Sequence, residues 1–458
     1  MSARTHQHKV AFHYTDVMLA ALPFMGMISF WQVFDGLVPK MLVNTFGLDN
    51  VETGAVMAVD NVFGLVLLPL FGIWSDRCRS RLGRRTPFIL VGSAVACVTV
   101  PLIAVANNVG SLALFIAMVI ATLVAICAYR TMTVSIVADI TPRPLRTKAN
   151  GVQKLVGYAG TGLMLVVIAL LVPKGDNPNY VPVFAIQALL ILGAAVCYGL
   201  RVREPALVRR MHDESLEMGI KEAEIDLDDS PEAGGKGRVS DPSVRLSIAM
   251  LLGATFFYYM SYNAMTTNIS RYADLFFGMG GGSFAVINMV TIVGALASYM
   301  PLANLSLRVG RKKVALATAV LMAACPVVIW VTPGFTPALY LVFLVMGVAL
   351  GAVDLCVYTM IVENTDANNV GRYSGYYYTV SMAAQVATPI LSGLVMDVAP
   401  AQLFGYITAM GVAMVACIAL TKHGDTILID EVERREEEFE RREEEGERRG
   451  EEGERLAG

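Results

Sequence analysis

Long apolar runs separated by short polar links are the dominant pattern along this chain. A helix needs about 20 apolar residues to cross the hydrocarbon layer of a bilayer, and twelve runs meet that requirement. They span residues 17–44, 52–75, 87–106, 111–138, 151–172, 182–200, 243–270, 283–303, 314–331, 337–362, 372–396 and 403–421. Turn-forming residues separate several of them, for example at 107–110 and 332–334. The pattern therefore predicts an all-α membrane protein with twelve transmembrane helices.

Lysine and arginine are unevenly distributed among the links. Those at 77–85, 143–148, 201–210 and 308–313 are rich in both, whereas those at 107–110, 332–337 and 397–402 contain none. Basic links stay on the cytoplasmic side, and rich and poor links alternate, so we expect both termini in the cytoplasm of a multi-pass protein of the cell membrane. The polar stretch 1–16 has no signal-peptide pattern and is expected to be a cytoplasmic lead-in.

Composition agrees with this pattern and divides the chain. Of its 458 residues, 55% are hydrophobic and 16% are charged, whereas soluble domains typically carry about a quarter charged residues. Much of the acid lies in the middle of the chain and in its tail. We predict six-helix bundles at 1–200 and 243–421, a cytoplasmic linker at 201–242 and a charged cytoplasmic tail at 422–458.

The sequence offers no chemistry for an enzyme, a metal site or nucleic-acid binding. Its seven cysteines are scattered singly, without a CxxC motif. It contains no phosphate-binding GxxxxGK[ST] loop, no Ser/His/Asp constellation and no basic face. We therefore expect a monomer without cofactor or metal, whose partners are the lipid bilayer and a small solute.

An internal repeat relates the two halves. Three residues near the end of the fourth run recur in similar form 224 positions later. The pairs are Asp139 with Glu363, Lys148 with Arg372, and Gly151 with Gly375. The loop 81–85 likewise recurs at 308–312, at an offset of 227. Transporters are often built from such repeats. The first offset makes Arg130 and Asp354 equivalent, and the second relates Asp60 and Asn61 to Ile287 and Asn288.

The charged segment 72–88 carries a family resemblance. Gly72-x-x-x-Asp76-Arg77, followed by Arg81-Leu82-Gly83-Arg84-Arg85, resembles the loop between helices 2 and 3 of the major facilitator superfamily. The longer stretch 75–88 is similar to the branch that includes sucrose transporters and glycoside, pentoside and hexuronide carriers of the melibiose-carrier type. The resemblance implies two pseudo-symmetric six-helix bundles and secondary transport by alternating access.

The resemblance also implies a cytoplasmic gate that stabilises the outward-open state and loosens on inward opening. In such a gate Asp76 would interact with the N-terminal dipole of helix 11. The alternative interpretation is that these charges mark topology alone. The predicted gate residues are Gly72, Asp76, Arg81, Gly83, Arg84, Arg85, Asp139, Arg308, Gly310, Arg311, Glu363 and Arg372.

Two positions depart from the family pattern. Sucrose carriers usually place an arginine five residues before the helix-4 aspartate, where this chain has Val134, so the resemblance does not specify sucrose. Sodium-coupled melibiose-type carriers pair two aspartates one turn apart in helix 2, whereas here Asp60 is followed by Gly64. The second departure favours protons over sodium as the coupling ion.

Four ionisable residues lie deep in apolar runs: Asp35, Asp60, Arg130 and Asp354. An ionised side chain there is costly and normally faces a cavity and finds a partner. Asp60 is expected about one turn into helix 2, near the outer surface. We predict that Asp35, Asp60 or Asp354 takes up a proton, and that Arg130 binds substrate or keeps an acid ionised. The alternative is a structural ion pair or helix-to-helix hydrogen bond without a role in transport.

Polar and aromatic neighbours of these charges suit a sugar, because aromatic rings cover its apolar faces while amides and carboxylates bond its hydroxyls. For any single aromatic residue the alternative is core packing or anchoring at the membrane interface. Tyr258 and Tyr262 are candidates of this kind. The predicted substrate-binding residues are Trp31, Gln32, Asn61, Tyr129, Arg130, Tyr158, Asn263, Asn288, Asp354 and Gln385.

Three functions are compatible with these patterns. The leading hypothesis is a proton-coupled carrier of a sugar or glycoside. The second is a major facilitator carrier or exporter of another solute. The third, a membrane sensor that keeps the carrier fold, is disfavoured because charged gate residues occur in both halves.

Overall fold

The computed structural model describes residues 12–142, 145–175, 178–217, 242–364 and 370–423. Within these residues the chain forms thirteen α-helices and no strand. In chain order they are α1 (Tyr14–Asn44), α2 (Asn50–Asp76), α3 (Thr86–Val109), α4 (Leu112–Asp139), α5 (Arg146–Leu171), α6 (Val181–Arg201), α7 (Glu204–Glu217), α8 (Pro242–Phe277), α9 (Ala285–Val309), α10 (Arg311–Val331), α11 (Leu339–Glu363), α12 (Val370–Val398) and α13 (Leu403–Leu420).

The helices confirm the all-α membrane fold that the apolar runs predict. In the described part of the chain, eleven helices are long and apolar enough to cross a membrane. The remaining run, 283–303, corresponds to α9, whose apolar portion is Ala285–Tyr299. Apolar residues such as Leu170 and Val398 face outward and are 77% and 79% exposed, as suits contact with lipid. The helical backbone needs no water there, because its polar groups bond one another within each helix.

The predicted linker begins with a helix that the apolar pattern does not show. Helix α7 follows α6 almost directly and is largely polar. Its Arg210 pairs with Asp16 at 2.7 Å, which ties it to α1. The remainder of the linker, from residue 218, and the tail, from residue 424, lie outside the described residues. The bounds of the four predicted regions therefore stay a prediction.

Local sequence determines where the helices begin and end. Asp49 accepts a hydrogen bond from the backbone of Glu52, and the Glu52 side chain accepts one from the backbone of Asp49, so a capping box begins α2. Gly110 ends α3 with φ of 72°, a left-handed conformation that glycine adopts without strain. These signals fix the short links and hence the alternating direction of the helices.

The helices pack into two groups. In the first half α1 packs against α4, α5 and α6, and α3 packs against α4 and α6. In the second half α8 packs against α11, α12 and α13, and α9 packs against α11. The halves meet where α2 packs along α12, α1 against α8, and α5 against α9.

The two ends of this arrangement differ, and we name them by their residues. The arginine end is the end at which the loop 77–85 lies, and the distal end is the end at which α1 stops and α2 starts. At the distal end the halves approach backbone to backbone. A β-carbon on Gly54 would overlap the Pro389 carbonyl, and one on Gly393 would overlap the Asn50 carbonyl. Gly282 also donates a backbone hydrogen bond to Val172 at 3.1 Å.

Replacing Gly54 or Gly393 by alanine is expected to destabilise the distal contact, because each new methyl group meets backbone atoms. Overpacking of this kind costs about 1–3 kcal/mol, so thermal unfolding in detergent should occur at a lower temperature. Gly64→Ala on the same helix is the control, since its β-carbon would lie 3.8 Å from Leu68 and Met382, an ordinary contact. Equal melting temperatures for the three variants would contradict this account.

Candidate functional site

A cavity of about 310 Å³ lies between the two halves. Helices α1, α2, α4 and α5 line it from the first half, and α8, α9 and α12 line it from the second. The structure brings these sequence-predicted residues together around it: Trp31, Gln32, Asp35, Asp60, Asn61, Arg130, Tyr158, Tyr262, Asn263, Asn288 and Gln385. The cavity borders the distal contact, because Pro389 belongs to both.

The charged residues of the cavity all belong to the first half. The Asp60 carboxylate interacts electrostatically with the Arg130 guanidinium, and the Asp35 carboxylate interacts with that of Asp60. Asp60 also accepts a hydrogen bond from Asn61 at 2.5 Å, and Arg130 lies over the Trp31 ring, 5.5 Å from its centroid. Two acids and one base give the group one negative charge when all are ionised, and no net charge when one acid holds a proton.

Asp60 lies deeper than its sequence position suggested. It is ten residues beyond Asn50, the first residue of α2, and an α-helix makes a turn every 3.6 residues. The expectation of a position one turn into helix 2, near the surface, is therefore wrong. Its depth is what brings it within range of Arg130 on α4.

The second half contributes amides and hydroxyls to the cavity. Asn263, Thr266 and Thr267 come from α8, Asn288 and Thr291 from α9, and Gln385 from α12. This surface can donate and accept hydrogen bonds without charge. The cavity thus has a charged wall and a neutral polar wall that face each other across the boundary between the halves.

Three predicted candidates lie outside the cavity. Tyr129 is fully buried against Gly92 of α3, because it points about 100° around the helix from Arg130. Asp354 accepts hydrogen bonds from Tyr377 at 2.8 Å and Tyr259 at 3.4 Å. Tyr258 donates to the Leu350 carbonyl at 3.3 Å. The structure therefore gives these residues packing partners in place of the lining role predicted for them.

Lys154 is a polar residue of this region that sequence reasoning missed. It lies on α5, one turn before Tyr158, and reaches across to the Tyr299 hydroxyl of α9 at 3.2 Å. It also interacts electrostatically with Asp354. The signal was available as a lone lysine in an apolar run, but its position near the start of helix 5 made it look like an ordinary terminal charge.

At the arginine end, Arg85 connects three parts of the first half. Its guanidinium contacts Asp76 at 2.6 Å, Asp139 at 3.0 Å and the Ser75 hydroxyl at 3.1 Å. Burial alone would lower the pKa of Arg85, but the Asp139 and Asp76 carboxylates outweigh it and raise that pKa above its ordinary value. Asp76, Arg85 and Asp139, three of the predicted gate residues, therefore form one ion-pair cluster.

Glu204 anchors the same loop and was not among the predicted gate residues. This acid of α7 is 2% exposed. It accepts hydrogen bonds from the backbone N–H groups of Arg84, Arg85 and Thr86 at 2.7, 3.0 and 2.8 Å. It also accepts one from the Thr86 hydroxyl at 2.8 Å. A carboxylate at the start of α3 satisfies donors that the helix cannot pair itself.

The remaining gate residues show the repeat but not a complete gate. Gly83 and Gly310, at equivalent places in the two loops, have φ of 113° and 106°, which glycine adopts readily. Arg81, Arg84 and Arg308 are exposed, and Gly72 lies within α2. Arg311, which begins α10, is half-buried. The side chains of Glu363 and Arg372 lie outside the described part of the structure.

Glu204→Ala is expected to release the arginine loop, because it leaves buried N–H groups without an acceptor, at about 1–3 kcal/mol for each group. Limited trypsin digestion should then cut within 77–85 faster than in the unchanged protein, and Glu204→Gln should have a smaller effect. Glu214→Ala is the matched control, because Glu214 lies on the same helix and bonds His13 and Arg210 away from the loop. Cleavage that is equally fast in Glu204→Ala and Glu214→Ala would refute the anchoring role.

A bundle of membrane-crossing helices around a cavity at the boundary of two halves is the architecture of many secondary transporters. The family model of the Major Facilitator Superfamily matches residues 19–299 and 250–450. The chain belongs to that superfamily of transporters.

Several relatives and solved structures are similar to this chain. It is 38% identical over 94 residues to the sucrose transport protein SUT4 of Oryza sativa subsp. indica, covering 20% of this chain and 16% of that protein. It is 28% identical over 180 residues to the alpha-ketoglutarate permease of Escherichia coli (strain K12), covering 38% of this chain and 40% of the permease. The matched region is thus less than half of either relative.

Structural similarity extends over most of the chain. The inward-open xylose transporter XylE of E. coli superposes with a TM-score of 0.65 at 13% identity, over 90% of this chain and 96% of XylE. A POT family transporter in complex with 5-aminolevulinic acid gives 0.66 at 12% identity, over 88% and 94%. Identities this low establish the fold alone.

Proposed function

We propose that this chain is a proton-coupled secondary transporter that moves a sugar or glycoside by alternating access. The observation that carries the proposal is the cavity between the halves, with its charged wall on one side and its neutral polar wall on the other. The matches to sucrose transport proteins over part of the chain support the same substrate class.

The neutral polar wall favours a polyhydroxylated solute. Binding sites fix a ligand through a few placed polar groups within a largely apolar lining. Asn263, Asn288 and Gln385 supply amides that can bond hydroxyls in either direction. The rings of Trp31 and Tyr158 supply flat apolar surfaces on the first half. Amides and rings together match the alternating polar and apolar faces of a pyranose.

The charged wall favours coupling to protons. Asp35 and Asp60 face the same cavity and interact with each other, with Arg130 beside Asp60. Two neighbouring carboxylates resist being ionised together, which favours the binding of a proton to one of them. That single proton leaves Asp35, Asp60 and Arg130 with no net charge. Return of the carrier without that proton would leave an uncompensated charge in the membrane, which is unfavourable.

The contacts between the halves support alternating access. Lys40 with Asp274 and Gly281, and Asn50 with Asp397, all lie at the distal end. The Asp76, Arg85, Asp139 and Glu204 cluster at the arginine end lies within the first half and linker helix. We interpret the structure as a state closed at the distal end, which a rocking of the halves would open.

A carboxylate carrier is the second candidate function. Arg130 could bind a carboxylate, and the alpha-ketoglutarate permease match extends over more residues than the sucrose transporter match. The two acids of the cavity oppose this reading, because they would repel a dianion unless both were protonated. A neutral solute avoids that repulsion.

Uptake into proteoliposomes tests the proposal. Labelled disaccharides and glycosides should accumulate when the pH is lower outside than inside, and an excess of unlabelled sugar should compete. Failure of every sugar in a broad panel to move or compete would refute the sugar proposal. Uptake of a dicarboxylate in its place would favour the second candidate.

Asp35→Asn and Asp60→Asn should separate coupling from binding. We expect at least one of them to reduce pH-driven uptake to the rate seen without a gradient, while exchange of sugar for sugar continues. Asp354→Asn is the comparison, because Asp354 has tyrosine partners outside the cavity, and it should retain driven uptake. Retention of driven uptake by both cavity variants would contradict the coupling role.

Asn288→Leu and Gln385→Leu should weaken binding without uncoupling transport. Loss of one hydrogen bond costs about 0.5–1.5 kcal/mol, which corresponds to a KM roughly 2- to 10-fold higher in the same uptake measurement. Asn108→Leu is the control, since Asn108 bonds Asn179 on the exposed distal surface. An unchanged KM for both cavity variants would place the sugar elsewhere.

A further inference from the structure

We infer that Asp397, at the end of α12, is a positioning residue of the transport cycle that locks the distal end shut by capping helix α2 of the other half. Lys40 and Asp274 form a second point of the same lock, between α1 and α8. The inference rests on the proposed alternating access, and it assigns to named residues the contacts that must break before the cavity can open distally.

The hydrogen bonds at the start of α2 are divided between the two halves. A helix begins with four backbone N–H groups that have no partner within the helix. The Asp49 side chain accepts from Glu52 at 2.7 Å, and the Asp49 carbonyl accepts from Thr53 at 3.0 Å. These contacts lie within the first half and leave the N–H groups of Asn50 and Val51.

Asp397 accepts from both of those remaining groups. Its Oδ1 accepts from the Asn50 backbone at 2.8 Å and its Oδ2 from the Val51 backbone at 2.9 Å. Its Oδ1 also accepts from the Asn50 side-chain amide. The carboxylate therefore completes the cap of α2 from across the boundary and places a negative charge at the positive end of the helix dipole.

Glycines allow this contact to form. Gly393 lies one turn before Asp397 on α12, and a β-carbon there would overlap the Asn50 carbonyl. The close approach of α12 at Gly393 thus brings Asp397 to the first turn of α2. Asp397 is exposed, so water can take its place on both N–H groups when the halves separate, and the lock is reversible.

Lys40 provides the second point of the lock. It is 3% exposed, and its described partners all come from the second half. Its Nζ contacts Asp274 at 2.5 Å and the Gly281 carbonyl at 3.0 Å, and it lies 4.9 Å from the Phe284 ring centroid. A buried cation needs such partners, so α1 is held to α8 and to the link before α9.

Distances between spin labels would test the lock without any substrate. In a background without the seven native cysteines, one nitroxide pair at Val109 and Val331 reports on the distal end. These residues end α3 and α10 and are 66% and 70% exposed, away from the lock. A second pair at Arg79 and Lys313, both exposed, reports on the arginine end.

Asp397→Ala should shift the protein towards states open at the distal end. Loss of a helix cap changes an equilibrium by roughly 2- to 30-fold, so the ratio of the long-distance to the short-distance population of the distal pair should rise by that factor. The pair at the arginine end should shift towards shorter distances. Asp397→Asn, which keeps one acceptor oxygen, should give a smaller shift in both.

Asp49→Ala is the matched control. It removes a cap from the same end of α2, but one that lies inside the first half. We expect it to leave the distal distances unchanged. A similar shift in Asp49→Ala and Asp397→Ala would mean that fraying of α2 is responsible and would overturn the inference. No shift in Asp397→Ala would also overturn it.

Charge reversal tests the second point. Lys40→Asp and Asp274→Lys should each raise the distal long-distance population, and the double variant should restore the closed distribution at least in part. If both single variants give the same distances as the unchanged protein, Lys40 and Asp274 are not part of the lock.

The labels also separate this inference from the proposed function. A shift in Asp397→Ala, in a protein that carries no sugar, would refute the sugar proposal alone. Sugar uptake by the unchanged protein, combined with identical distances in Asp397→Ala, would refute the lock alone.

Discussion

The cost of an ionised group inside a bilayer is the constraint on which this structure depends. A charge far from water needs a partner or a water-filled cavity, and the described charges meet that need in different ways. Lys40 finds its counter-ion in the other half. Asp35, Asp60 and Arg130 share a cavity. Arg85 finds two carboxylates at the edge of its own half. A charge whose partner lies in the other half loses that partner if the halves separate, whereas a charge paired within its own half keeps it.

The division of chemistry between the halves follows from that constraint. The charges of the cavity are confined to α1, α2 and α4, so the proposed rocking of the first half as a body would keep their mutual distances. The second half presents amides and hydroxyls. Transfer of these neutral groups between water and a closed cavity changes the free energy less than transfer of charged groups does. In the proposed mechanism a proton binds to one half, while closure around the substrate recruits the neutral wall of the other.

The sequence predicted the positions of the helices well and the directions of their side chains poorly. Each of the twelve apolar runs coincides with a helix of the described part of the chain, and eleven of the predicted candidates line the cavity. Tyr129 did not, because adjacent residues on a helix point about 100° apart and helix 4 has no polar stripe that marks one face. The partner of Lys40 was equally hidden, since Asp274 is more than 200 residues away. The role of Glu204 required knowing that α7 returns to the start of α3.

The distal end shows why pairing across the halves can be both firm and reversible. Close glycine contacts give α2 and α12 a fitted surface, but they gain stability only while the surfaces touch. The Asp397 cap differs, because its donors can exchange the carboxylate for water when the helices part. Burial holds Lys40 to Asp274 more strictly, since separation must hydrate both charges. These contacts differ in what they cost to break, but water can replace the partner in each of them. The rocking motion of the proposed alternating access can therefore break all of them together.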